Sequence, residues 1–137
     1  MEFRQNLQEL KSQIDYLGSL KKEDVTHIIK SSIYEIENLK IFNEEELNEI
    51  NKVTLTSEPF NNLFFKYNKE RLVSKGVVYL EEENDLQFLI SLFYFFKQRV
   101  PILLKTNTKL QIQSLDIIHK FLKENNISGN FLVKIND

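Results

Sequence analysis

The stretch GVVYLEEENDLQFLISLFYFFKQRVPILLK, residues 76–105, decides the fold. Its opening run Val77-Val78-Tyr79-Leu80 is short and apolar, which predicts a strand buried on both faces. A helix over 85–99 follows, and then a second strand over 100–105. Its proline lies at the start of the strand, where the lack of a backbone N–H disturbs the sheet hydrogen bonds least. Strand, helix and strand in this order predict a right-handed crossover between two parallel strands.

The same alternation continues towards residue 137. A further helix runs to Asn125, and it starts either at a Thr108 cap or only at Ser114, because residues 110–113 alternate like a strand. A last strand is predicted over 131–135. Two cap patterns, in which Asn or Thr is followed three residues later by Gln, mark the helix starts: Asn84 with Gln87 and Thr108 with Gln111.

Residues 1–52 carry helical patterns. Apolar residues spaced alternately by four and three define a first helix: Phe3, Leu7, Leu10, Ile14 and Leu17. We expect Gly18 to end that helix at a positive φ, and Ser19 to cap a second helix that packs on the first as an antiparallel hairpin. A third helix begins at Asn43, where Glu46 completes a capping box.

These elements predict one domain over 1–137 of the α/β class, with α+β as the alternative. A helical part over 1–52 contributes a hairpin and a third helix, and a β/loop part over 53–75 connects it to a βαβαβ part over 76–137. The helices pack on the small, mostly parallel sheet. A chain of 137 residues has the usual size of a single domain.

The composition is that of an ordinary globular protein, 42% hydrophobic and 28% charged. Cysteine is absent, which excludes disulfides and thiolate metal sites and, with no leader-like N-terminus, predicts a cytoplasmic location. The longest apolar run, over 88–96, is less than half of the ~20 residues that a membrane span needs, so no membrane association is expected. The lack of alanine and the 15 lysines against 3 arginines indicate an AT-rich genome of a bacterium or phage.

Charge is unevenly distributed along the chain. The net charge of −2 is too small to attract nucleic acid over the whole surface. Residues 1–58 carry 7 basic and 12 acidic side chains, residues 59–80 carry 4 and 1, and residues 81–137 carry 7 of each. The acidic helices of 1–58 are therefore the expected surface for a basic partner, and 59–80 is the candidate for anion binding.

Motifs for catalysis or cofactor binding are absent from the sequence. Dinucleotide and P-loop sites need clustered glycines, whereas the three glycines here stand apart, so no cofactor is expected. There is no Gly-x-Ser-x-Gly elbow, and the two histidines, His27 and His119, lie on predicted helices without a partner motif. We interpret both as surface or packing residues and expect no zinc site. These absences favour a protein that is not an enzyme.

Carboxylates cluster after the first core strand, in Glu81-Glu82-Glu83-Asn84-Asp85, at the sheet edge where open α/β folds bind ligands. Glu81 and Asp85 are candidate Mg²⁺ ligands. Residues 79–86 resemble the first motif of Toprim domains, the metal-dependent domains of topoisomerases, primases and some nucleases. The resemblance implies a degenerate metal-dependent nucleic-acid enzyme, because Glu82 replaces the motif's glycine and Lys105-Thr106-Asn107-Thr108 stands where the family has paired aspartates. The alternative is that the acidic residues only complement the N-terminus of the following helix.

Residues 63–75 interleave aromatic and basic side chains. Lys66, Lys69 and Arg71 alternate with aromatic rings, a pattern typical of proteins that bind single-stranded nucleic acid. The same pattern also fits a strand with its aromatic face in the core and its lysines in water. Nucleic-acid binding is therefore a possible but secondary partner assignment.

The predicted helix over 85–99 is apolar nearly all round. It is either enclosed between the sheet and the N-terminal helices or exposes one face to another chain. Candidate partner-interface residues come from this helix, the first helix and the acidic third helix: Phe3, Leu7, Leu10, Glu44, Glu45, Phe88 and Phe95.

The leading functional hypothesis is a non-enzymatic interaction or regulatory protein of the adaptor, immunity, antitoxin or anti-defence class. Its partner is another protein, in a homo-oligomer or in a heteromeric complex. The alternatives are the Toprim-like metal-dependent enzyme and the single-stranded nucleic-acid binder described above.

Overall fold

The secondary structure comes from a computed structural model that describes residues 2–55, 71–74 and 76–135. The helices are α1 (Glu2–Lys11), α2 (Ile14–Gly18), α3 (Lys22–Asn38), α4 (Glu44–Leu55), α5 (Asp85–Lys97) and α6 (Lys109–Glu124). The strands are β1 (Arg71–Ser74), β2 (Val77–Glu81), β3 (Ile102–Lys105) and β4 (Leu132–Lys134). The predicted α/β class and the mostly parallel sheet are confirmed, and the N-terminal part contains a helical hairpin.

The sheet has the strand order β1-β2-β3-β4. Strands β2, β3 and β4 are parallel, with Leu80 opposite Leu104 and Leu103 opposite Val133, whereas β1 is antiparallel to β2. Because each crossover steps to the next strand in the same direction, right-handed connections place α5 and α6 on one face of the sheet. The two helices contact each other there.

Helix α5 lies at the centre of the molecule. It contacts β2 and β3 on one side and α4 and α3 on the other, and nearly every side chain from Gln87 to Phe96 is buried. The ring of Phe96 stacks on Phe131, just before β4, with 5.2 Å between ring centroids. Burial of each such aromatic side chain contributes about 1.5–3 kcal/mol. Of the two explanations for this apolar helix, the structure therefore supports enclosure within the chain.

The opposite face of the sheet is covered by α1. Leu10 is fully buried against Val77 and Leu103, with Leu7 partly buried beside them. Leu17, one helix later, belongs instead to the main core. The predicted single first helix is therefore broken at residues 12–13, because its apolar seam serves two different faces and the chain has to turn between them.

The arms of the helical hairpin are α3 and α4, which contact each other and lie on α6 and α5 respectively. The expected pairing of the first helix with the second is not observed, because α1 packs on the sheet. Ser19 does not cap α3; its hydroxyl donates to the Tyr16 carbonyl, and Lys21 occupies the N-cap without a side-chain bond. Residues 53–55, assigned by sequence to the connecting part, are the end of α4.

The predicted helix caps are confirmed by hydrogen bonds. Asn43 and Glu46 form a reciprocal capping box, with N···O distances of 2.9 and 2.8 Å. The Asn84 side chain accepts from the Gln87 N–H at 3.0 Å. Thr108 likewise accepts from the Gln111 N–H at 3.1 Å, so α6 starts at its cap and not at Ser114.

Left-handed backbone conformations occur mainly at residues other than glycine. Lys40, Arg99 and Asn126 follow the C-caps of α3, α5 and α6 with φ near +60°. Gly76 is the one glycine with positive φ, and Gly18, expected to adopt it, lies inside α2. Three helices therefore end in strained conformations that a Cβ disfavours.

Lys40→Gly is expected to raise the free energy of unfolding by about 0.5–1 kcal/mol, because relief of left-handed strain exceeds the entropy that glycine adds to the unfolded chain. Arg99→Gly is the matched comparison. It relieves the same strain but removes guanidinium hydrogen bonds to the carbonyls of Lys97 (2.8 Å) and Leu20 (3.2 Å), so it is expected to destabilise. Urea unfolding measures both, and equal stabilisation by the two variants would contradict the role assigned to Arg99.

Candidate functional site

The predicted metal ligand Glu81 lies on the α1 face of the sheet edge. Side chains alternate along a strand, and Glu81 shares the face of Tyr79, whose hydroxyl donates to Glu81 Oε1 at 2.8 Å. On the neighbouring strand, Lys105 Nζ lies 4.0 Å from Glu81 Oε2. This carboxylate is therefore part of a surface contact between two paired strands.

Asp85, the second predicted ligand, belongs to a different set of contacts. Its Oδ1 accepts from the Thr108 hydroxyl at 2.7 Å and from the Gln111 amide at 3.3 Å, so it joins the start of α5 to the start of α6. Glu81 and Asp85 have no hydrogen-bond partner in common, and the described residues contain no group of three or more His, Asp or Glu side chains placed to hold a metal ion. The structure thus places the two candidate ligands in separate contacts.

Gln111 is the centre of the polar network at this edge, and its side chain is 1% exposed. Its Oε1 accepts from the Asn107 N–H at 2.8 Å, and its Nε2 donates to the Glu82 carbonyl at 2.7 Å. The amide therefore ties the segment after β2 to the segment after β3. The sequence identified Gln111 only as a helix-start residue, since the partners of a buried amide depend on tertiary structure.

Glu82 is 5% exposed, and its Oε1 accepts from the Asn84 N–H at 3.2 Å. It occupies the position of the glycine in the Toprim motif. Its Oε2 is buried without a hydrogen-bond partner among the described residues, so a buried carboxylate stands where that motif has its glycine.

The topology offers no ligand crevice at the carboxyl edge of the parallel strands. Such crevices form where successive crossovers leave the sheet towards opposite faces. Here β2, β3 and β4 follow in order, and the helices that connect them lie on one face. The sequence argument for a ligand at this edge assumed a topological switch point, where the crossovers on either side go to opposite faces of the sheet. The described strands have no such point.

Gln111→Ala is expected to lower the free energy of unfolding by about 2–4 kcal/mol, because the Asn107 N–H loses its acceptor and the Glu82 carbonyl loses its closest donor. Gln113→Ala, at an exposed position of the same helix, is the control and is expected to change stability by less than about 0.5 kcal/mol. Chemical unfolding of both variants tests the network, and similar small effects would show that it contributes little.

His119 is the histidine whose environment is unusual. Its imidazole lies so close to Gly129 that a Cβ built there would be 2.5 Å from Nδ1. Burial lowers the pKa of His119, while the Asp116 carboxylate and a hydrogen bond with the Leu132 backbone act in the opposite direction. His27, by contrast, is exposed on α3. His119 is therefore a packing residue, as predicted, between α6 and the segment that leads into β4.

This burial predicts a pH dependence of stability. The unfolded chain binds the His119 proton at a pKa near 6.5, and the folded chain binds it only at lower pH, so the free energy of unfolding falls as the pH drops below about 6.5. His119→Gln is expected to reduce that loss between pH 7.5 and 5.5 in thermal unfolding. His27→Gln is the control, and an equal effect of both substitutions would contradict the assignment.

The partner-interface candidates separate into two groups. Leu10, Phe88 and Phe95 are 0%, 0% and 5% exposed, and Leu7 packs beside Leu10; these side chains form the chain's own core and are not presented to a partner. The side chain of Phe3 lies outside the described residues. Glu44 and Glu45 are exposed at the start of α4, as an interface requires.

The nucleic-acid candidates fall largely outside the described residues. Lys66 and Lys69 belong to the 56–70 segment, which the structure does not describe, and Arg71 is described only as backbone in β1. Binding of nucleic acid through 63–75 therefore stays a prediction.

Two apolar side chains of the hairpin stand out on the surface. Tyr34, on α3, is 67% exposed, and Ile41, in the connection to α4, is 52% exposed. The sequence did not identify either side chain as exposed, because each lies only one position away from a residue of the apolar pattern. Tyr34 also lies on the rim of a groove between α3 and α6.

Comparison of the chain with protein-family models, with curated proteins and with solved structures gives no match. Across the described ranges, no helix is both long and apolar enough to cross a bilayer. Acidic side chains and exposed apolar side chains occur together on the α3–α4 hairpin, and its outer face is the candidate site.

Proposed function

We propose that this chain is a non-enzymatic interaction protein that binds a basic partner protein through the outer face of its α3–α4 hairpin. Adaptor, immunity, antitoxin and anti-defence proteins of bacteria and phages are the classes with this mode of action. The observation that carries the proposal is the charge of the hairpin: residues 22–55 contain eight acidic and four basic side chains.

The exposed carboxylates of α4 are available to a partner. Glu46 is used in the capping box and Glu35 is paired with Lys120, whereas Glu44 and Glu45 have neither a hydrogen bond nor an ion pair within the described chain. Both stabilise the N-terminus of α4, and both carboxylates remain exposed to solvent. The surplus charge favours rapid association with a positively charged surface.

A heteromeric complex fits this surface better than a symmetric dimer. In a two-fold dimer both copies use the same patch, so a dimer built on this face would bring the acidic ends of two α4 helices into one interface, where like charges repel. A basic partner removes that repulsion. Ile41, beside the acidic cluster in sequence, offers apolar contact area of the kind found at the centre of interfaces.

The test uses the full chain as bait in a lysate of its source organism at low salt, followed by purification of the captured protein and measurement of its affinity. Glu44→Gln combined with Glu45→Gln is expected to weaken binding about tenfold, mainly through slower association, and to flatten the salt dependence. Glu83→Gln with Glu124→Gln is the control, since both residues are exposed elsewhere and the change in net charge is the same.

Equal effects of the two double variants would show that only net charge matters and would contradict a hairpin interface. Capture of no protein whose binding depends on these residues would contradict the proposed function itself. Light scattering of the purified chain is expected to give a monomer, and a stable dimer would favour self-association instead.

A further inference from the structure

We infer that His119 blocks the free edge of the sheet and prevents β4 from pairing with β4 of a second copy of the chain. Strand β4 is the last in the order β1-β2-β3-β4, so one of its edges has no neighbouring strand among the described residues. The backbone groups of such an edge can pair with a strand of another chain, and natural proteins protect their sheet edges against it. The contacts of β4 show how this edge is protected.

The hydrogen bonds between β3 and β4 define which backbone groups face outward. The Ile102 N–H donates to the Phe131 carbonyl at 2.8 Å, so Phe131 faces β3. Because alternate residues of a strand present their backbone groups to opposite sides, Leu132 and Lys134 face the free edge. A strand from another chain would have to pair with these two residues.

Leu132 is already engaged within its own chain. Its N–H donates to the Gly129 carbonyl at 3.0 Å. The His119 imidazole hydrogen-bonds to the Leu132 backbone, in which the carbonyl is the group that accepts from an imidazole N–H. His119 also lies against Gly129, since a Cβ built on that glycine would be 2.5 Å from Nδ1. One of the two outward residues is therefore closed to another chain.

The edge is not closed by lack of room. A cleft of about 600 Å³ opens beside it, between Glu9 and Gln13 at the end of α1 and His119 on α6, and Leu132 and Val133 line this cleft. The hydrogen bonds of Leu132 are thus what keeps this edge from pairing with another strand.

The register of a two-fold pair identifies a second copy as a strand that fits. If Val133 lies opposite its own counterpart in antiparallel pairing, Leu132 of each copy pairs with Lys134 of the other. The two lysines are then not directly opposite each other, which avoids repulsion between like charges. In this register the Leu132 carbonyl accepts from the Lys134 N–H of the other copy, and that is the carbonyl which His119 occupies.

The experiment compares variants of the full chain by light scattering over a range of protein concentrations. His119→Leu keeps a bulky side chain that cannot donate a hydrogen bond, so it releases the Leu132 carbonyl and is expected to shift the protein from monomer towards dimer as the concentration rises. His119→Gln retains an N–H donor and is expected to stay monomeric. His27→Leu, at the exposed histidine of α3, is the control and is also expected to stay monomeric.

A second substitution tests whether the dimer forms through β4. Lys134→Pro added to His119→Leu removes the outward N–H that the dimer needs, and proline is tolerated at the edge of a sheet. This double variant is expected to be monomeric, whereas Lys134→Ala in the same background keeps the N–H and the dimer. Circular dichroism checks that each variant is folded. Gly129→Ala, whose Cβ displaces the imidazole, takes the place of His119→Leu if that variant does not fold.

Three results would overturn the assignment of His119. The first is a folded His119→Leu variant that stays monomeric at every concentration. The second is a dimer that persists in the Lys134→Pro double variant, because another surface would then associate. The third is a dimer of the unsubstituted chain, because its edge would then not be blocked. None of these measurements involves the partner of the α3–α4 hairpin, so the proposed function is tested separately.

Discussion

The structure depends on the enclosure of α5. A helix that is apolar on every side must be covered on every side, and one small sheet covers only half of it. The other half is covered by the α3–α4 hairpin, so the N-terminal helices are part of the same core as the βαβαβ unit. Because α5 packs against the inner faces of the sheet and the hairpin, only the outer face of the hairpin can contact solvent or another protein.

This arrangement separates the core from the surface that carries charge. Glu44 and Glu45 are exposed at the start of α4, away from the aromatic centre, so their charges stay hydrated and carry little desolvation cost. The sheet edge that holds Glu81 and Asp85 is instead closed by Gln111 and by strand-to-strand contacts. The polar residues nearest the parallel strands therefore stabilise the fold, and the surface proposed for binding lies on the α3–α4 hairpin.

Local signals in the sequence predicted much of the fold. The Asn43, Asn84 and Thr108 caps depend on residues three positions apart, and the apolar strands depend on short runs, so neither needs tertiary information. The break after α1 was not predictable, because it arises where one apolar seam meets two faces of a folded sheet. For the same reason sequence adjacency suggested a joint metal site for Glu81 and Asp85, although strand alternation and the fold place them in separate contacts.

Native-state hydrogen exchange of α5 tests the central claim most directly. If α5 is enclosed by the sheet and the hairpin of its own chain, its amide protons exchange only through global unfolding, and their protection is independent of protein concentration. Faster exchange in α5 than in α3 would show that the helix is not enclosed, and protection that increases with concentration would show that another copy covers it. Either result would contradict the account.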